Sequence, residues 1–191
     1  MENQATIREK ILRAAEAAFR EDGFQAASLA EIAKAAGLTK GAVYSNFKDK
    51  DDLLLTVLEG RVNRSIARFR KAASAEGRDT IAFMAEFLAR AAIVDAPWST
   101  VFAEFALHAS RRPSTAKALA AMRTRLRAEI IILLRPLVDD GQADDARLDR
   151  VATLFFAISN GLTLERMSDR SRIDSALYRE ALESLLHRSR G

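Results

Sequence analysis

Apolar residues return every three or four positions along nearly the whole chain, and no stretch shows the strict alternation of a half-buried strand. The pattern predicts an all-α protein. Between 28 and 47, Leu29, Ile32, Ala33 and Ala36 form one short apolar stripe and Val43 and Phe47 a second, with Gly37 and Leu38 between them. A long helix is predicted from Asp49 or Lys50 to Ala73, with Leu54, Leu58, Val62, Ile66 and Phe69 on one side and Gly60 as a mild weak point. After an AEGRD turn, Ile81, Met84, Phe87, Leu88 and Ala91 line a further helix. Pro97 opens another, carrying Trp98, Val101, Phe102 and Phe105 and stopping at Arg111-Arg112-Pro113. The stripe Leu119, Met122, Leu126, Ile130, Leu133 and Leu137 then runs to the polar break DDGQADDA. Two final helices carry Leu148, Val151, Leu154, Phe155, Ile158 and Leu162, then Leu177, Ala181, Leu182, Leu185 and Leu186.

The segment 28–47 carries the most specific pattern. Ser28 is a good N-cap, with Glu31 three residues on to complete a capping box. Gly37 can take positive φ and stop the first helix, and Thr39 caps the second. Beyond that cap stand Lys40, Gly41 and Ala42, so a phosphate or base edge can approach backbone with little side chain in the way. Lys40, Tyr44, Ser45 and Lys48 fall on the polar side. Two short helices joined by a Gly turn, with a small-residue entrance to the second, make a DNA-reading device; ordinary helix packing is the alternative reading of the turn alone.

Composition sets bounds on this reading. At 191 residues and 49% hydrophobic the chain can bury a substantial core, and 29% charged residues argue for a folded, water-soluble protein. There is no Cys, hence no disulfide framework or thiolate zinc site, and no apolar stretch of bilayer-spanning length or secretory type, so a cytoplasmic location is expected. The net charge is +4, yet residues 1–60 hold eight Lys/Arg against ten Asp/Glu. Basic character is therefore local, at Lys40, Lys48 and Lys50 and in the run Arg61, Arg64, Arg68, Arg70 and Lys71, which reads first as a solvated helix face.

Thr6, Ile11, Ala14-Ala15, Phe19, Gly23-Phe24, Ser28, Ile32-Ala33, Ala36-Gly37, Lys40-Gly41, Tyr44, Phe47, Lys50 and Leu53 stand in register with a known pattern. Over residues 5 to about 60 the chain resembles the N-terminal domain of the tetracycline-repressor (TetR) family of bacterial transcription regulators. The resemblance implies a three-helix helix-turn-helix domain at 5–65, joined by a long helix to a ligand-binding and dimerisation domain at 74–191. It also implies a homodimer on double-stranded operator DNA, repression, and release by a small-molecule effector, with no cofactor. The DNA-binding residues implied are Ser28, Thr39, Lys40, Gly41, Ala42, Tyr44, Ser45, Asn46 and Lys50, with Tyr44 and Lys50 on phosphate. Asn46 stands where a histidine is common in the family and Ala42 at a variable recognition position, which bears on the operator sequence and not on the fold.

For the effector, the resemblance directs attention to the aromatics Phe83, Phe87, Trp98, Phe102 and Phe105, for which plain core is the competing reading. Glu104 and His108, at i and i+4, share a face; a helix-surface ion pair stands ahead of a polar contact to ligand, and one such pair is a weak metal signal, so no metal site is assigned. The family's last two helices pair across a two-fold, which makes Leu154, Phe155, Ile158, Gly161, Leu162, Leu177, Ala181 and Leu185 the expected dimer interface. Phe155 and Phe156 point in different directions about their helix, one toward the subunit core and one toward a partner. The alternatives are a sequence-indifferent DNA-coating protein, an all-α lipid or small-molecule carrier, and an enzyme. With two His, no Cys and no GxSxG, Walker loop or HExxH, no catalytic residues are assigned.

Overall fold

The computed structural model describes residues 3–73, 79–169 and 171–187. Among them every regular element is helical: α1 (Gln4–Ala26), α2 (Leu29–Ala35), α3 (Lys40–Tyr44), α4 (Lys50–Ala73), α5 (Thr80–Val94), α6 (Ala96–Ser110), α7 (Pro113–Leu134), a 3-10 segment (Arg135–Gly141), α8 (Asp145–Ser168) and α9 (Ser175–Leu186). The starts follow the capping rule, since Asn3, Ser28, Thr39, Asp79, Asp144 and Asp174 each accept a backbone N–H from the first turn of the helix they precede.

The predicted elements are recovered with one difference. The helix expected to carry Leu137 ends at Leu134 and tightens into the 3-10 segment. Pro136 is the cause, having no N–H to give and a ring that collides with the carbonyl four residues back. At Gly23, where the pattern places a turn, α1 is bent, with a φ of 78° and ψ of 176° that are barred to residues with a Cβ. The AEGRD turn lies, apart from Asp79, outside the described residues.

The chain forms two compact units, one of Met1–Val62 with Thr100–Met122, the other of Asn63–Ser99 with Arg123–Gly191. This differs from a division at residues 65 and 74, because the end of α6 and the start of α7 pack with the N-terminal helices. In the first unit Ile11, Ala15, Phe19, Phe24, Ile32, Val43, Phe47 and Phe105 are buried. The Phe24 ring meets Phe105 edge-on at 5.1 Å and lies 6.3 Å from Phe19.

In the second unit α9 lies along α5 and α8. Phe69 stacks on Phe83 at 5.3 Å and meets Phe87 edge-on at 5.5 Å, while Met84, Leu126, Leu148, Val151, Tyr178 and Leu186 fill the interior. Burial pushes the Tyr178 phenol above its ordinary value, opposed by its hydrogen bond with Thr163. No helix among the described residues is long and apolar enough to cross a membrane.

Candidate nucleic-acid interface

Helix α3 is held from both ends. Ser28 Oγ accepts the Glu31 N–H at 3.2 Å and donates to the Glu31 carboxylate at 2.9 Å. The expected capping box is thus closed through the serine hydroxyl. Gly37, at φ 69°, ends α2, and Leu38 N donates to Ala33 O. Thr39 Oγ1 then accepts the Ala42 N–H at 3.2 Å and starts α3. Val43 and Phe47 anchor this helix to α1 and α2 from a fully buried face.

The opposite face is open. Tyr44 is 51% exposed, and the Lys40 ammonium lies 5.9 Å from its ring, held by a cation–π attraction. A Cβ on Gly41 would meet only Thr39 Oγ1, at 3.8 Å, so the fold does not require glycine there. Ser45 Oγ and Asn46 Nδ2 both donate to Ala42 O, at 2.9 and 2.8 Å. Ser45, with a single hydroxyl proton, must give up that bond before it can donate to DNA, whereas the Asn46 amide carries a second N–H, which lies 3.4 Å from Ser45 Oγ.

Lys50 requires a correction. Instead of facing outward toward phosphate, its ammonium donates to the carbonyls of Phe24 (2.8 Å), Gln25 (3.1 Å) and Ala27 (3.1 Å) and sits 4.6 Å above the Phe24 ring. An ammonium has three protons, and three carbonyls at the end of α1 take them. Burial lowers this ammonium below its ordinary value, while Asp51 and Glu104 pull the other way.

Arg8 was not singled out by the sequence pattern. Its guanidinium lies 4.2 Å from the Phe47 ring centroid and donates to Asn46 O at 2.9 Å, tying α1 to the segment just after α3. The available signal was its place three residues before Ile11 on the stripe that continues through Ala15 and Phe19.

This geometry coincides with two family profiles: "Bacterial regulatory proteins, tetR family" over residues 11–57 and "BetI-type transcriptional repressor, C-terminal" over residues 77–190. The chain belongs to the TetR family of bacterial transcriptional regulators. It is 50% identical over 52 residues to the transcriptional regulator AcrR of Shigella flexneri, a stretch that covers 27% of this chain and 24% of AcrR. Among solved structures it resembles Salmonella enterica GusR, with a TM-score of 0.71 at 23% identity, covering 94% of this chain and 95% of that one. It also resembles FadR of Bacillus subtilis, solved with stearoyl-CoA, with a TM-score of 0.67 at 17% identity over 93% and 97% of the two chains.

The residues expected around an effector fall in both units. Phe83, Phe87 and Trp98 belong to the second unit, and Trp98 is buried there. Phe102, Glu104, Phe105 and His108 belong to the first. Phe105 is core against Phe24, and Phe102 is half-buried. Glu104 and His108 each pair with groups on other helices and not with each other. Glu104 Oε2 accepts the N–H groups of Phe24 (2.8 Å) and Gln25 (3.4 Å). His108 Nε2 lies 3.1 Å from Asp51 Oδ2, which also accepts the Thr115 hydroxyl at 2.6 Å. Both side chains thus meet polar groups of α1 and α4, whose burial without partners would be costly.

The expected dimer residues also divide. Phe155 and Leu185 are buried within the subunit, and Phe156 lies against Phe155 at 6.0 Å under the Arg123 guanidinium. Both phenylalanines are therefore buried within their own subunit. Ile158, Leu162, Leu177 and Ala181 are partly exposed, whereas Leu154, Gly161 and Leu164 are exposed.

Proposed function

We propose that this chain is a homodimeric repressor that reads a two-fold operator through α3 and releases it when a small apolar effector binds the unit containing α5, α8 and α9. The observation that carries the reading role is the open face of α3, with Lys40 and Gly41 at its start and Tyr44 51% exposed one turn later. Lys40 and Ala42 address base edges, and Tyr44 addresses phosphate. Ser28 and Thr39 contribute chiefly by capping, Ser45 donates after giving up Ala42 O, and Asn46 donates through its second amide N–H.

Dimerisation is supported by Leu154, Ala157, Gly161 and Leu164, exposed on α8 at spacings of three and four, which makes a seam suited to a facing helix. A Cβ on Gly161 would meet nothing within 4 Å, so its small size is free to serve close helix approach. Two α3 helices then address half-sites about 34–36 Å apart or somewhat more. Repression follows the match to the repressor C-terminal profile. An apolar effector is suggested by the Phe69, Phe83 and Phe87 cluster and by the stearoyl-CoA held by the similar FadR. It must favour a state whose reading helices miss the half-sites, since equal affinity for both states shifts nothing. Such a regulator acts on the chromosome, in the cytoplasm.

The test is selection of bound sequences from a random DNA pool, followed by anisotropy titration of the selected operator and of random DNA. The operator should bind at least about 10³-fold more tightly. A ratio near one would favour the DNA-coating reading, and no binding at all would favour a carrier or enzyme. Leu154→Asp or Leu164→Asp should give monomers by light scattering, and an inducer found by screening should alter Trp98 fluorescence.

A further inference from the structure

The corner at Gly23 is clamped by two opposite charges. On one side the Glu104 carboxylate takes the N–H groups of Phe24 and Gln25; on the other the Lys50 ammonium takes the carbonyls of Phe24, Gln25 and Ala27. The chain between them can rotate only by breaking charge-assisted bonds. It leads straight into Ser28, the cap of α2, so the direction it takes is the direction of the helix pair that ends in α3. Gly23 fits the same device: a Cβ there would stand 3.0 Å from Glu104 Oε1, and the φ of 78° already excludes most side chains.

We infer that Glu104 is a positioning residue for operator reading, acting through the Phe24–Ala27 peptide and not through contact with DNA. It stands 64 residues beyond Lys40 in sequence, within the unit that contains α1 to α3. Without it Phe24 N loses its acceptor, the corner keeps its Lys50 bonds and gains freedom, and α3 samples orientations that do not match the bases. Random DNA, bound through charge, tolerates that freedom; a specific sequence does not. This rests on the reading that α3 reads an operator, so wild-type binding is measured first.

The experiment compares wild type, Glu104→Gln and Glu104→Ala on the selected operator and on random DNA across salt concentrations, with thermal unfolding and hydrogen exchange at the Phe24 amide. Absence of operator preference in the wild type overturns the reading of α3 itself. If the wild type discriminates, Glu104→Ala should weaken operator binding about 5- to 30-fold, corresponding to a loss of roughly 1–2 kcal/mol. Random-DNA affinity and the salt slope should stay within twofold of wild type, and exchange at Phe24 should accelerate. Glu104→Gln, which keeps an acceptor oxygen, should recover most of the operator affinity. Equal operator affinity in Glu104→Ala, or a loss shared equally by operator and random DNA, would overturn the inference. Should Glu104→Ala fail to fold, Glu104→Gln decides: Phe24 exchange and operator discrimination must move together, and a change in either alone overturns it.

Discussion

Helices α3 and α6 teach different lessons about where a side chain's purpose is written. In α3 and its flanks the polar side chains close locally: Thr39 to Ala42, Ser45 to Ala42 and Asn46 to Ala42 span three or four residues. In α6, Glu104 reaches Phe24 across 80 residues and His108 reaches Asp51 across 57. Caps and turns are properties of adjacent residues, so spacing reveals them; a contact across a fold depends on which helices pack, which spacing within one helix does not encode. The first kind of polar residue leaves its neighbours on the outward face free for a partner. The second kind is spent inside the protein.

The strongest way to break this contrast is to remove a side chain on which the distant contacts converge. Phe24 touches Phe19, Phe105, His108 and the Lys50 ammonium from a fully buried position. Phe24→Ala should cost about 3–5 kcal/mol in denaturant unfolding. A cost near that of an exposed apolar truncation would show that the α1–α6 packing is not a structural unit.

The two positive-φ glycines sharpen the comparison further. Gly37, at the local turn, has nothing within 4 Å of a would-be Cβ, whereas Gly23 has the Glu104 carboxylate at 3.0 Å. Gly37→Ala should cost about 1–2 kcal/mol for the left-handed backbone alone. Gly23→Ala carries its own backbone cost of about 1–3 kcal/mol and also displaces Glu104 from Phe24 N. Its unfolding midpoint should therefore fall further, and equal losses would remove Glu104 from the account.

Lys50→Ala separates a clamp from a phosphate contact. Orphaning the carbonyls of Phe24, Gln25 and Ala27 should lower stability by roughly 1–3 kcal/mol. The slope of log affinity against log salt on DNA should not change, whereas a lost phosphate contact would reduce it by about 0.9.

The smallest effect on stability belongs to α3. Gly41→Ala should leave the fold intact and stabilise it by up to about 0.5–1 kcal/mol, because alanine is the better helix former. Operator affinity should nevertheless fall, since the methyl group stands where a base or phosphate approaches. Unchanged affinity would place the close approach elsewhere on the helix.

Much of the fold was legible because helices with one apolar face declare themselves by period: the stripes from Leu54 to Phe69 and from Leu148 to Leu162 became α4 and α8. The turn at Gly37 and the caps at Ser28 and Thr39 were equally readable. Lys50 was not, since outward position on a helical wheel says nothing about a neighbouring helix end that needs a cation. Phe155 and Phe156 show the same limit: their divergent directions were evident, but α8 is covered widely enough for its own subunit to bury both. The sequence by itself determined the helices, their ends and the face of α3 that stays open, all set by interactions within a few residues. Only the tertiary structure decided that Glu104, His108 and Lys50 are spent on α1 and α4, because burial of a polar group demands a partner and the packing of distant segments chooses which one.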